Sequence, residues 1–192
     1  MRTRKNDSAI KFRLEDGIET ISHSKFKKYA SKLSKEIAKY IAENNLRIDY
    51  VVPVFRGGAV PAVYIANELN LIKFAPIQMK KIKQNGKYDR ILLLNSLKDL
   101  DREKNLNLLV VDDTVGAGDT LHTIVDEIRE TLPKATILFA CIFLRDGTDL
   151  PENIQASFFG SSMAREKVFV YPWEIKEQKE TRIDQEIENI FY

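Results

Sequence analysis

Residues 108–120, LLVVDDTVGAGDT, decide how the rest of the chain is interpreted. An unbroken apolar run, two acidic residues and a glycine-rich turn follow one another in this stretch. That order indicates a buried parallel strand with a polar loop at its carboxyl end, where open α/β sheets bind ligands. Apolar residues then recur at helical spacing from Leu121 to Leu132. The sequence therefore predicts a polar turn at the N-terminus of a helix.

The residue types in this turn predict a sugar phosphate as the ligand. Free backbone N–H groups and the helix dipole favour a phosphate at a helix N-terminus. Gly116 and Gly118 allow the main chain to approach that phosphate closely. Carboxylates repel phosphate, so Asp112 and Asp113 suit sugar hydroxyls or a divalent cation beside the anion.

Length and composition set the broad class of protein. A chain of 192 residues fits a single domain, and its net charge of +2 gives no electrostatic case for nucleic acid or an anionic membrane. Residues 1–7 lack the apolar core of a signal peptide, and no apolar run is long enough to span a bilayer. We therefore expect a cytoplasmic protein. The single cysteine, Cys141, lies in the apolar run 137–144, which favours a buried strand thiol over a nucleophile.

A second glycine turn follows an earlier strand, in residues 50–61, YVVPVFRGGAVP. Arg56 offers a charged fork to an anion, and Gly57 and Gly58 allow unusual backbone angles beside it. On local evidence alone, a plain strand-to-helix turn with an exposed arginine remains open. Two anion-binding turns on separate strands match a substrate with a phosphate at one end and a pyrophosphate at the other.

Residues 108–120 resemble motifs of two families. The segment Asp113–Asp119 is similar to the signature of ribokinase-type sugar kinases, in which the last aspartate is the base. The apolar strand, the acid pair and the turn closing on Thr120 also resemble the loop of type I phosphoribosyltransferases that binds 5-phosphoribosyl 1-pyrophosphate (PRPP).

The rest of the chain favours the phosphoribosyltransferase resemblance. Residues 55–58 resemble the pyrophosphate loop of purine-type phosphoribosyltransferases, which has no counterpart in the much longer ribokinase-type enzymes. Residues 167–174, KVFVYPWE, resemble the segment that closes the base-binding hood of xanthine- and hypoxanthine-type enzymes. The chain thus resembles the type I phosphoribosyltransferase family, and the purine-, xanthine- and hypoxanthine-type enzymes within it most of all.

The resemblance implies transfer of the 5-phosphoribosyl group of PRPP to a nucleobase, with a purine favoured, and release of pyrophosphate. Asp112 and Asp113 would be catalytic by holding the ribose hydroxyls, and Asp113 would meet Mg2+. The base would be contacted by Val168, Phe169 and Trp173. PRPP would be bound by Arg56, Gly57, Lys80, Arg90, Asp112, Asp113, Thr114, Val115, Gly116, Ala117, Gly118, Asp119 and Thr120.

Lys80 and Arg90 belong to this set because of the segment between the two turns. A strand in residues 75–82, a polar glycine-containing piece in 83–90 and a resumed strand in 91–94 predict a hairpin or a mobile flap. In the resembling family, the flexible loop that closes over the pyrophosphate occurs at this place in the chain.

The implied fold is α/β, a mostly parallel sheet flanked by helices with a small hood. Residues 1–192 would form one phosphoribosyltransferase domain, with its core at about 22–150 and its hood from 1–21 and 151–175. A C-terminal helix at 178–192 would dock on the body or on a partner subunit, and we expect a homo-oligomer, either a dimer or a tetramer.

Two departures from the family pattern keep other functions open. Hypoxanthine- and xanthine-type enzymes usually carry an aspartate at the place of Gly116, and Asp119 stands where a lysine or another polar residue is common. A PRPP-binding regulatory or degenerate protein on the same fold is therefore an alternative. A sugar kinase that uses Asp119 as its base is a further one.

Overall fold

The structure is a computed structural model that describes residues 18–84, 87–165 and 167–174. The chain divides into two compact units. The large unit is Lys28–Met163, and the small unit combines Met1–Lys27 with Ala164–Tyr192.

A six-stranded sheet forms the centre of the large unit, in the order β4-β3-β2-β5-β6-β7. Neighbouring strands are parallel, except that β4 runs antiparallel to β3. The prediction of a mostly parallel sheet is confirmed. The strands are β2 (Tyr50–Phe55), β3 (Ile77–Gln84), β4 (Lys87–Asn95), β5 (Asn107–Val115), β6 (Thr136–Arg145) and β7 (Ala156–Met163).

In the described residues, three helices and a short 3-10 helix accompany the strands: α1 (His23–Glu43), α2 (Ala59–Glu68), Ser96–Asp99 (3-10) and α3 (Asp119–Thr131). All four apolar residues of β5 from Leu108 to Val111 have 0% exposure, so both faces of this strand are covered. α3 contributes Leu121, Ile124, Val125 and Ile128 to the core, as the helical spacing predicts.

The segment between α2 and the 3-10 helix contains an antiparallel hairpin, as one of the two sequence interpretations expects. The strands β3 and β4 pair from Ile77 with Asn95 to Gln84 with Lys87. Phe55, the last residue of β2, pairs with Gln78, so the rest of β3 continues past the carboxyl end of β2. Residues 85 and 86 lie outside the described residues.

The small unit contains a two-stranded parallel sheet of β1 (Ile18–Thr20) and β8 (Val168–Val170). The Glu19 carboxylate accepts hydrogen bonds from Lys25 and Lys167, and the Lys25 bond is the larger cause of its lowered pKa. The Ser22 hydroxyl accepts from Lys25 N at 3.1 Å, as an N-cap of α1.

The units differ from the predicted hood in one respect. Residues 151–175 were assigned to the hood together with 1–21, but β7 (Ala156–Met163) is an edge strand of the six-stranded sheet. The described residues of the small unit are 18–27, 164–165 and 167–174, and their role as a hood stays a prediction. The helix predicted at 178–192 lies outside the described residues. No helix in the described part of the chain is long and apolar enough to cross a bilayer.

Candidate active site

The two glycine turns are in contact at one edge of the sheet. β2 and β5 are parallel neighbours, with Pro53 opposite Val111, so their carboxyl ends lie side by side. A Cβ added at Gly57 would lie 2.3 Å from Asp113 Oδ2. One added at Gly58 would lie 2.3 Å from the Val111 carbonyl oxygen. The main chain after Arg56 therefore rests directly on the end of β5, and the Phe55–Arg56 peptide bond is cis.

The acid pair differs in burial. Asp113 is 4% exposed, and its Oδ1 accepts a hydrogen bond from Thr114 N at 2.6 Å. Asp112 is half-buried, and its Oδ1 accepts from Asp113 N at 2.8 Å. Because Asp113 lies against Gly57, the acid pair and the Arg56 turn can contact a single small ligand.

Strand β5 extends further than the sequence suggests. It continues through the acid pair to Val115, where Thr114 pairs with Phe143 and Val115 with Leu144 of β6. The Val115 side chain is 6% exposed and belongs to the core. The turn itself is thus shorter than predicted and begins at Gly116.

The β5–α3 turn, residues 116–120, leads into the first turn of α3. Gly118 has φ 96°, a left-handed conformation that favours glycine, and it occupies the N-cap position. Asp119 is the first residue of α3 and is exposed, whereas Thr120 is half-buried. The N-terminus of α3 therefore follows the acid pair closely along the chain, and its assignment to phosphate binding stays a prediction.

A third turn contacts this site, and none of the predicted site residues belongs to it. The β6–β7 turn, residues 145–149, follows the strand next to β5. The Thr148 hydroxyl oxygen lies 2.6 Å from the Gly116 carbonyl oxygen, and His122 Nε2 lies 3.6 Å from Asp149 Oδ2. The signal that identifies this turn is strand adjacency, because the carboxyl ends of neighbouring parallel strands meet at one edge.

The predicted hairpin cations lie on neighbouring strands. Lys80 is an exposed residue of β3, and it pairs with Ile91 of β4. Arg90 belongs to β4 and pairs with Lys81, one register position further along. Their assignment to pyrophosphate binding stays a prediction.

The residues predicted to contact the base belong to the small unit. Val168 and Val170 are buried in β8, and the Lys25 ammonium lies 5.8 Å from the centroid of the Phe169 ring. Trp173 stacks on Tyr171 with ring centroids 4.7 Å apart and meets Phe26 edge-on at 5.0 Å. Contact of Val168, Phe169 and Trp173 with a base stays a prediction.

The chemistry of the acid pair fits a Mg2+ ion whose ligands come partly from the protein and partly from a substrate. Within the described ranges there is no group of three or more His, Cys, Asp or Glu residues that could hold a metal ion. Mg2+ is commonly bound through one or two carboxylates, with substrate phosphates and water completing its shell. Asp113, whose carboxylate faces the Arg56 turn, has the donor chemistry for that arrangement.

Cys141 is a buried strand residue and not part of the reactive site. It has 0% exposure on β6, opposite Asp112 on β5. Burial raises the pKa of its thiol well above the ordinary value, and the charges of Asp112 and Asp113 raise it further. A neutral thiol of this kind is a poor nucleophile, in agreement with the sequence-based interpretation.

A mostly parallel sheet with an acid pair and two glycine turns at one edge defines an α/β protein for a phosphorylated small-molecule ligand. The phosphoribosyl transferase domain model matches residues 22–177, and the chain belongs to the type I phosphoribosyltransferase family. Because the match includes residues 108–120, it overrides the local similarity to ribokinase-type sugar kinases.

Named relatives agree with the family. A xanthine-guanine phosphoribosyltransferase of Idiomarina loihiensis is 28% identical over 127 residues, which cover 65% of this chain and 70% of the relative. The purine phosphoribosyltransferase of Pyrococcus horikoshii has a similar fold, with 22% identity, a TM-score of 0.66 and coverage of 83% of this chain and 95% of that one. A hypothetical protein of Neisseria gonorrhoeae with bound ppGpp superposes with a TM-score of 0.69 at 16% identity, over 88% of this chain and 96% of that one.

Proposed function

We propose that this protein transfers the 5-phosphoribosyl group of PRPP to a purine base and releases pyrophosphate, with Mg2+ as its metal. The observation that carries the proposal is the contact between Gly57 and the Asp113 carboxylate. It brings an anion-binding turn, a carboxylate pair and a helix N-terminus within reach of one substrate. The relatives named for xanthine-guanine and purine phosphoribosyl transfer support the same reaction.

In this reaction a ring nitrogen of the base attacks the anomeric carbon of the ribose. The bond from that carbon to the pyrophosphate oxygen breaks, pyrophosphate leaves with the electron pair, and the substituted base releases its ring N–H proton to solvent. Asp112 and Asp113 accept hydrogen bonds from the ribose hydroxyls, while the N–H groups of residues 116–120 donate to the 5'-phosphate. Arg56 and the Gly57 N–H bind the pyrophosphate. Mg2+ held partly by Asp113 would neutralise charge on the leaving group.

The test is release of pyrophosphate from PRPP with a panel of purine and pyrimidine bases. We expect turnover with at least one purine and loss of it in two variants. Arg56→Ala removes the guanidinium group and its charge-assisted contact, and should weaken PRPP binding about 10- to 100-fold. Asp113→Asn removes the charge that meets the ribose and metal, and should lower kcat/KM about 100-fold or more.

Two exposed residues away from the turns supply matched controls. Arg102→Ala and Asp126→Asn remove the same charges from the surface, and both should behave as the unaltered protein. No turnover with any base contradicts the proposed reaction. Activity of Arg56→Ala and Asp113→Asn equal to that of the unaltered protein contradicts it as well.

A PRPP-binding protein without transferase activity is the second candidate, and Gly116 favours it. A Cβ at Gly116 would lie 3.2 Å from Arg145 Nη1, so a guanidinium and no carboxylate stands at this position of the turn. That protein would bind PRPP in calorimetry and release no pyrophosphate. A homo-oligomeric state and a cytoplasmic location stay predictions from the sequence.

A further inference from the structure

The β6–β7 turn is fixed to the β5–α3 turn by one hydroxyl group. Thr148 Oγ1 lies 2.6 Å from Gly116 O and 2.7 Å from Arg145 O, so its single proton can be donated to either carbonyl oxygen. Thr148 N also donates to Arg145 O at 3.1 Å, which closes the turn on itself. The Gly116 carbonyl is therefore held towards the β6–β7 turn.

The β6–β7 turn is itself anchored to the sheet. Asp146 N donates to Met163 O at 2.9 Å, and Arg145 pairs with Met163 as the last pair between β6 and β7. Gly147, with φ 79°, supplies the left-handed residue that this tight turn uses. The β6–β7 turn that carries Thr148 is therefore fixed to the sheet by main-chain contacts.

Peptide geometry links this contact to the anion site. In a trans peptide, the carbonyl of one residue and the N–H of the next lie in a plane and point in opposite directions. Holding Gly116 O towards Thr148 therefore directs Ala117 N–H away from Thr148. Ala117 is exposed, so the turn is open to solvent at this residue. If the peptide rotated, it would present its carbonyl oxygen to a phosphate, which is repulsive.

Gly118 makes the same two turns meet at a second point. A Cβ at this residue would lie 2.5 Å from Asp149 O and 3.3 Å from Thr148 Cγ2. The main chain of the β5–α3 turn is therefore seated against the β6–β7 turn at both of its glycines.

We propose that Thr148 is a positioning residue for the 5'-phosphate end of the substrate: its hydroxyl fixes the Gly116–Ala117 peptide with the N–H directed to the phosphate. This inference rests on the proposed function, in which residues 116–120 bind that phosphate. It assigns Thr148 no contact with the reacting atoms.

Calorimetric titration with two partial ligands tests the proposal, because the two ends of the substrate are expected at different turns. Thr148→Val keeps the size of the side chain and removes the hydroxyl. We expect it to weaken ribose 5-phosphate binding about 3- to 10-fold, the effect of one hydrogen bond, and to leave pyrophosphate binding within about twofold. Thr148→Ser keeps the hydroxyl and should restore ribose 5-phosphate binding.

Thr123→Val is the matched control. Its hydroxyl also donates to a main-chain carbonyl, Asp119 O at 2.9 Å, but within α3 and without joining two turns. Both ligands should bind this variant as they bind the unaltered protein. If Thr148→Val shows no cooperative thermal unfolding, Thr148→Ala is titrated in its place with the same expectation.

Two results overturn the inference, and they differ from failure of the proposed function. Unchanged ribose 5-phosphate affinity in the variant that lacks the hydroxyl contradicts the role of Thr148 and leaves the proposed function standing. Equal loss of both ligands contradicts it as well, because a general structural defect would produce that result. An unaltered protein that binds neither PRPP nor either partial ligand contradicts the proposed function itself.

Discussion

At the residue scale, the account depends on the closeness of Gly57 to Asp113. The sequence identified both residues as candidates, since each follows an apolar strand. It gave no measure of how near they lie, because contact depends on β2 and β5 being neighbours in the sheet. The structure adds that the Gly57 main chain is in van der Waals contact with the carboxylate.

Substitution of Gly57 by alanine tests this contact. The added Cβ would lie 2.3 Å from Asp113 Oδ2, so either the carboxylate or the turn must move. We expect Gly57→Ala to lower the rate of pyrophosphate release at least about 10-fold, and to lower the melting temperature. Steady-state kinetics and thermal unfolding measure both effects.

A double variant separates a clash with the carboxylate from other effects of the alanine. In Gly57→Ala/Asp113→Ala the carboxylate is absent, so the melting temperature should recover relative to additive expectation while activity stays lost. Additive destabilisation in this cycle, or full activity of Gly57→Ala, would contradict the contact.

At the scale of elements, the central strands position the acid pair and bury the side chains beside it. Cys141 on β6 lies opposite Asp112 on β5, and burial with the nearby acids raises the pKa of its thiol. In the unfolded chain the same thiol ionises near its ordinary pKa of 9.0. Above that pH the unfolded state loses a proton that the folded state retains, so stability falls as pH rises.

The prediction is a steeper pH dependence for the unaltered protein than for Cys141→Ala. Above about pH 9, this group should lower the free energy of unfolding by about 1.4 kcal/mol per pH unit until the folded thiol also ionises. Denaturant unfolding at several pH values between 7 and 11 measures both slopes, and their difference isolates the cysteine. Parallel slopes for the two proteins would show that the thiol is not protected by burial.

The strand order also explains why no predicted site residue lies in the β6–β7 turn. The glycine turns after β2 and β5 carry local signals, namely an arginine, acids and glycines after apolar runs. Thr148 carries none, because its contact with Gly116 arises from the pairing of β6 with β5, which joins residues 32 positions apart. A rule based on strand adjacency finds it once the strand order is known.

At the scale of the whole molecule, the sequence was sufficient for the fold class and for the order of the main strands along the chain. It could not divide the last third of the chain between the two units. Residues 156–163 form a half-buried strand, and a short strand of that kind has no local feature that selects its sheet. Pairing with β6 places them in the large unit.

Contacts between the two ends of the chain were beyond sequence reasoning in detail. The sequence predicts a hood built from both termini, and that hood stays a prediction. In the small unit, β1 pairs with β8. The Glu19 to Lys167 hydrogen bond joins positions 148 residues apart, and no pattern in either segment identifies its partner. Periodicity predicts which residues of one element lie on the same face. It does not predict which strands far apart in the chain pair with each other.

A crystal structure of the protein with PRPP and Mg2+ would show whether both glycine turns bind the same substrate molecule. We predict one PRPP molecule across both glycine turns, with its 5'-phosphate oxygens at about 3 Å from main-chain nitrogens of residues 116–120 and its pyrophosphate at Arg56 and Gly57. Density for PRPP that contacts one of these turns alone, or lies at another edge of the sheet, would contradict the account.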